Sequence, residues 1–155
     1  SMRRYVISAT CLAWLAIIAL LFGPARVLAQ PAASKFEAQL IWGTNDSKSP
    51  DPRHKPVTPE ILERLKELPL KWSHYFEVNR RQFALATNEG KRIEMSDKCD
   101  IEVKNLGNSN VEVALFGKGE KVVKRTQPLP SGEILVLGGN APNATAWLVI
   151  LKRIK

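Results

Sequence analysis

The sequence predicts a mainly β protein: an antiparallel β-sandwich or partly open barrel of about seven to nine short strands. One α-helix over residues 58–68 covers it, and an N-terminal signal helix precedes it. Three observations lead there. Turn signals recur about every 8 to 12 residues from Lys71 to the end, the rhythm of all-β folds. A single stretch, 58–68, carries a helical apolar period. The first 29 residues have the three-part make-up of an export signal.

The export segment comes first in the chain. Arg3 and Arg4 supply positive charge, residues 6–22 carry no charge, Gly23 and Pro24 break any helix, and Val27-Leu28-Ala29 ends in a small residue. Cleavage between Ala29 and Gln30 is the expectation. The alternative is an uncleaved anchor, since the 17 uncharged residues of 6–22, among them Ser8 and Thr10, lie at the lower edge of what spans a bilayer. Either outcome predicts an exported domain, periplasmic or extracellular, or held by a single N-terminal membrane anchor.

Of the 155 residues, 126 follow that segment, enough for one core and too few for two. The formal charge is +8. Removal of Arg3, Arg4 and Arg26 leaves 20 basic residues against 15 acidic, or +5. That balance favours anionic surfaces, acidic glycans or an acidic protein, and in an exported protein it argues against nucleic acid. Only Cys99 follows Cys11, so the domain has no internal disulfide and must rest on its core.

Residues 30–35 read as a tether, and 36–155 as a single β-rich domain. Phe36, Ala38 and Leu40 alternate with Glu37 and Gln39, which predicts a first strand over 36–42. Residues 43–57 are rich in Pro, Asn, Asp and Ser and read as a long loop without a regular element. At about 15 residues it is long for a compact domain, which marks it as a candidate functional segment.

Thr58-Pro59-Glu60 has the chemistry of a helix start, and Ile61, Leu62, Leu65 and Leu68 form one apolar stripe before Pro69 ends it. Strands are then expected at 73–79, 82–87, 92–96, 100–105, 111–115, 121–126, 133–137 and 145–151. Gly138-Gly139-Asn140 reads as a turn. Ile134-Leu135-Val136-Leu137 and Trp147-Leu148-Val149-Ile150-Leu151 are apolar on both faces. They are therefore central strands, with the sandwich core on one side and the helix on the other.

The candidate chemistry is sparse. Asn45, Asp46, Ser47 and Asp51 are oxygen donors of the kind calcium takes, but turn-forming side chains explain the same letters. His54 and His74 are 20 residues apart and lack metal-ligand spacing. No Gly-x-Ser-x-Gly elbow is present. Ser73 and His74 are adjacent, and strand neighbours face opposite ways, so they are not expected to pair. Cys99 shares its parity with Ile101 and Val103 and is expected to point inward. No catalytic residue, cofactor or metal is expected.

The candidate binding surface comprises Trp42, Asp46, Asp51, His54, Trp72, Lys121, Lys124 and Arg125: aromatic side chains near basic strands, together with the 43–57 loop. A non-enzymatic binding or assembly module of the bacterial envelope is expected, with a protein partner contacting that loop and a sheet edge by strand addition. Two alternatives stand beside it: a protein binding glycans or acidic polymers through basic aromatic strands, and a membrane-anchored accessory subunit.

The segments Leu68-Pro69-Leu70-Lys71-Trp72, Tyr75-Phe76-Glu77-Val78-Asn79, Ile101-Glu102-Val103-Lys104-Asn105-Leu106-Gly107 and Leu137-Gly138-Gly139-Asn140-Ala141-Pro142 resemble small exported bacterial β-rich proteins of no characterised function. That resemblance implies a bacterial source and a periplasmic address, and carries no catalytic residues with it.

Overall fold

The computed structural model describes residues 32–141 and 145–154. The expected signal or anchor segment at 1–29 lies outside them.

Two antiparallel sheets and one helix make up the described chain. In chain order they are β1 (Ser34–Thr44), β2 (Lys55–Pro56), α1 (Pro59–Lys66), β3 (His74–Leu85), β4 (Gly90–Ser96), β5 (Cys99–Gly107), β6 (Asn110–Gly117), β7 (Glu120–Pro128), β8 (Ile134–Ala141) and β9 (Thr145–Arg153). The first sheet runs β2-β3-β1-β9-β8 and the second β4-β5-β6-β7.

Alternation sorts the side chains of β1. Phe36, Ala38 and Leu40 face the second sheet and are fully buried, while Ile41, of the opposite parity, is buried on the outer face. The core between the sheets gathers Ile101, Val103, Val111 and Val113 from the second sheet against Leu135, Leu137, Val149 and Leu151 from the first. A second, smaller core lies on the outer face of the first sheet. There Ile61 and Leu65 of α1 pack with Ile41, Tyr75, Leu148 and Ile150. This double burial is why β9 is apolar on both faces; the outer-face Ile134 and Val136 of β8 are only partly covered.

The helix is built as its sequence implies. Thr58 is extended and its hydroxyl accepts from the Ile61 N–H at 3.4 Å, Pro59 occupies the first turn, and Arg64 and Lys66 close the last. It ends at Lys66, two residues short of the expected boundary.

Four points differ from expectation. Ile134-Leu135-Val136-Leu137, expected in a central strand, lies in β8 at the edge of the first sheet, where Ile134 and Val136 are only partly buried on the outer face. Residues 43–57 include a short strand, β2, whose Lys55 and Pro56 pair with Glu77 and Phe76 at the edge of the sheet; an edge position tolerates the missing proline N–H. The two strands expected over 73–87 are one strand, β3, with a bulge opposite Leu40 and Ile41. The extra residue of a bulge disturbs the alternation and mimics a break. Gly138-Gly139-Asn140 is not a turn but part of β8, paired with Leu148, Trp147 and Ala146. Gly138 lies so close to the Leu148 side chain and to the Trp147 carbonyl (2.8 Å from where a Cβ would sit) that a side chain has no room.

The two long sides of the sandwich are unlike. Along the β3 side, side chains tie the sheets together: Asn79 Nδ2 of β3 donates to the Met95 carbonyl of β4 at 2.8 Å, and the buried Asn105 of β5 donates to the Leu85 carbonyl of β3 at 3.1 Å. On the opposite side β8 and β7 end their sheets, each hydrogen-bonded, among the described residues, to a strand on one edge only.

Candidate functional site

The open side holds a concavity. A groove of about 590 Å³ runs along the free edge of β8. Its floor is Ile134, Val136 and Gly138, backed by Leu148. One flank is the segment that leaves α1, where Leu68, Pro69, Leu70 and Trp72 present apolar surface. The other flank is β7, which contributes Arg125 and Gln127. The helix has already ended at Lys66, with the Leu68 N–H closing its last turn on the Leu65 carbonyl, and Pro69, which has no N–H to give, bars its continuation.

The charges on the two flanks differ. Arg64, at the helix end, lies 3.6 Å from Glu133, with Glu67 on the same flank. Arg125 pairs in register with Val113 on the inner face of β7, is exposed, and has no ion-pair partner among the described residues. One flank is therefore apolar with balanced charge, and the other carries an unopposed cation.

Of the eight expected surface residues, the structure brings two, Trp72 and Arg125, to this groove. Trp72 also packs against the outer core.

Trp42 is elsewhere, at the far end of β1. Its ring meets Trp147 edge-on, with centroids 4.5 Å apart, and Trp147 is 39% exposed.

Asp46, Asp51 and His54 belong to the long loop. The Asp46 N–H donates to the Thr44 hydroxyl at 3.1 Å. The Asp51 carboxylate accepts from the Arg53 guanidinium, from Nη2 at 2.7 Å and from Nε at 3.1 and 3.2 Å, and from the Arg53 N–H at 2.9 Å, while its backbone carbonyl accepts from the His54 N–H. The Arg53 guanidinium, and after it the Arg53 N–H, hold the Asp51 carboxyl well below the usual carboxylate range. His54 Nδ1 lies 2.6 Å from Ser49 Oγ, and its Nε2 lies 3.8 Å from Asp51. Serine, histidine and aspartate thus meet, but the carboxylate is already committed to Arg53 and the three lie outside both described concavities. The arrangement braces successive turns of the loop.

Ser73 and His74 do pair, against expectation: Ser73 Oγ and His74 Nδ1 are 3.0 Å apart. Ser73 precedes the strand, so strand alternation does not govern it; its N–H and hydroxyl both donate to Asn45 Oδ1.

Lys121 and Lys124 sit on the outer face of the second sheet beside a shallow hollow of about 80 Å³. Lys121 lies 5.9 Å from the Phe116 ring centre, and Arg92 lies 4.0 Å above the same ring. Lys124 pairs with Glu112 at 3.2 Å and Arg92 with Asp100 at 3.1 Å. Positive and negative charges are interleaved on this face.

Cys99 is half-buried against the main core. Burial, with a smaller contribution from the Asp100 charge, pushes its thiol up to about 11.

No family model, curated protein or solved structure matches the chain.

Sequence reasoning singled out the basic and aromatic residues but missed Leu68, Leu70, Ile134 and Val136 as site formers. They read as core because their apolar character is the same inside a sheet and at its rim. The signal available was the pair of prolines at Pro128 and Pro130, which separates β7 from β8 and leaves both as edges.

Proposed function

We propose that this chain is a non-enzymatic binding module of the bacterial envelope that takes an extended segment of a partner protein along β8. The observation that carries the reading is the edge itself. β8 ends its sheet with a run of Ile134, Leu135, Val136 and Leu137, with neither proline nor lysine in it. Exposed flat apolar edges promote indiscriminate pairing, and proteins ordinarily blunt them with charge, proline or a covering element. Here the edge is instead bordered by a shaped groove, as strand addition requires: main-chain hydrogen bonds for affinity, and side-chain surfaces for selectivity. The export segment supports an envelope address. Among the described residues no group of three or more His, Cys, Asp or Glu side chains is placed to hold a metal, and no helix is long and apolar enough to cross a membrane.

Site-specific photocrosslinking in the native envelope tests this. A benzoyl-phenylalanine at Leu68, on the groove flank, is expected to trap one protein stoichiometrically. The same residue at Val122, 54% exposed and outside the groove, is expected to trap none. Equal trapping at both positions, or at neither, defeats the reading.

A further inference from the structure

The groove also specifies what kind of strand it accepts. We infer that its guest is an amphipathic extended segment: apolar side chains on the face toward Leu68, Leu70 and Trp72, and acidic side chains on the face toward Arg125. The inference rests on the strand-addition reading above and adds the guest's chemistry to it.

The argument is one of alternation. A strand laid beside β8 continues the pleat of the first sheet, so its successive side chains point to opposite faces. Outer-face side chains continue the surface of Ile134 and Val136, and meet the apolar segment after α1. Inner-face side chains continue the surface of Leu135 and Leu137. At that margin β7 offers Arg125 and Gln127 in place of a covering apolar layer. The two faces of one guest therefore meet opposite chemistries.

The sign of the polar face follows from the ion pairs. On the outer flank Arg64 is matched by Glu133, and Glu67 adds an acid, so nothing there calls for further negative charge. On the inner flank Arg125 is unmatched among the described residues, and Gln127 can donate from its amide. A carboxylate opposite them gains a charge-assisted hydrogen bond, and a lysine there meets a like charge. The excess of basic residues over the whole chain acts in the same direction by drawing an acidic partner in. A second copy of this chain is a poorer occupant, because a two-fold pairing of β8 edges brings one Arg125 toward the other.

The test uses two synthetic peptides of eight residues, the length of β8. One alternates valine with glutamate, the other valine with lysine. Each is titrated into the wild-type protein and into the Arg125→Glu variant, with amide hydrogen exchange along β8 read in parallel. Arg125 is exposed and outside both cores, so the variant is expected to fold. The expected result is protection of β8 amides by the glutamate peptide in wild type, at least about tenfold weaker binding of it in the variant, and a reversed preference for the lysine peptide there. If both peptides protect β8 equally and Arg125→Glu changes neither, the acidic preference is overturned while strand addition stands. If neither protects β8, both are overturned. A wild-type chain that dimerises with β8 already protected assigns the edge to a second copy and overturns the inference.

Discussion

At the scale of single residues, Gly138 and Cys99 are constrained in different ways. Gly138 is solvent-exposed, yet Leu148 folds over it and the Trp147 carbonyl closes in behind. A methyl group there must move a packed side chain and a backbone carbonyl together. Gly138→Ala is expected to lose about 1–3 kcal/mol, read as a lowered urea midpoint, the range typical of overpacking. A variant as stable as wild type would show that the end of β8 yields easily.

The half-buried Cys99 thiol is held neutral by its surroundings. Its folded pKa, about 11, lies above the unfolded value of about 8.5, so folding favours the protonated form. That contribution is complete below the unfolded value and is lost as pH rises toward the folded one. Iodoacetamide labelling at pH 8 is expected to be roughly tenfold slower in the native protein than in urea, and stability to begin falling above about pH 8.5. Equal labelling rates would place the sulfur at the surface.

At the scale of elements, α1 shows how a short helix is held by what it covers. Eight residues make a marginal helix alone. Leu65, fully buried against the first sheet, and the Thr58 cap hold it in place. Leu65→Ala is expected to cost about 2–4 kcal/mol, and Thr58→Ala about 1 kcal/mol. Chemical denaturation measures both; a Leu65 effect smaller than that of Thr58 would mean that the helix caps the sheet without supporting it.

The same elements show what could be read in advance. The helix and the strands with clean alternation, β1, β5 and β6, were legible because burial on one face repeats at a fixed period. The two-sided burial of β9 was legible because Leu148 to Leu151 leaves no polar face, whereas β8, equally apolar in sequence, is an edge strand rather than the expected central one. The bulge in β3, the short β2 and the extension of β8 through two glycines were not: each breaks a period while keeping the pairing, and pairing is a property of two segments at once. The candidate site was half legible for the same reason. Trp72 and Arg125 stand out by type, but whether Ile134 and Val136 are core or rim depends on which strand lies next to them, and strand order is not written in either segment.

At the scale of the whole molecule, the distribution of charge separates the surfaces. The outer face of the second sheet mixes signs, with Lys124 against Glu112 and Arg92 against Asp100. The base of the sandwich is closed differently. Arg153 is buried, with its guanidinium 4.8 Å from the Phe36 ring centre, and donates to the Leu129 carbonyl and the Ser34 hydroxyl. One of its nitrogens, Nη2, has no hydrogen-bond partner among the described residues.

The asparagine ties, from β3 to β4 and from β5 to β3, have a mechanical meaning. A book bound along one margin opens only along the other, and Asn79 and Asn105 are the stitching of this one. On the strand-addition reading, substitutions at the unstitched margin of β7 and β8 change which guest strand is accepted while the stitched margin keeps the pages in order, so selectivity drifts without the fold being rewritten.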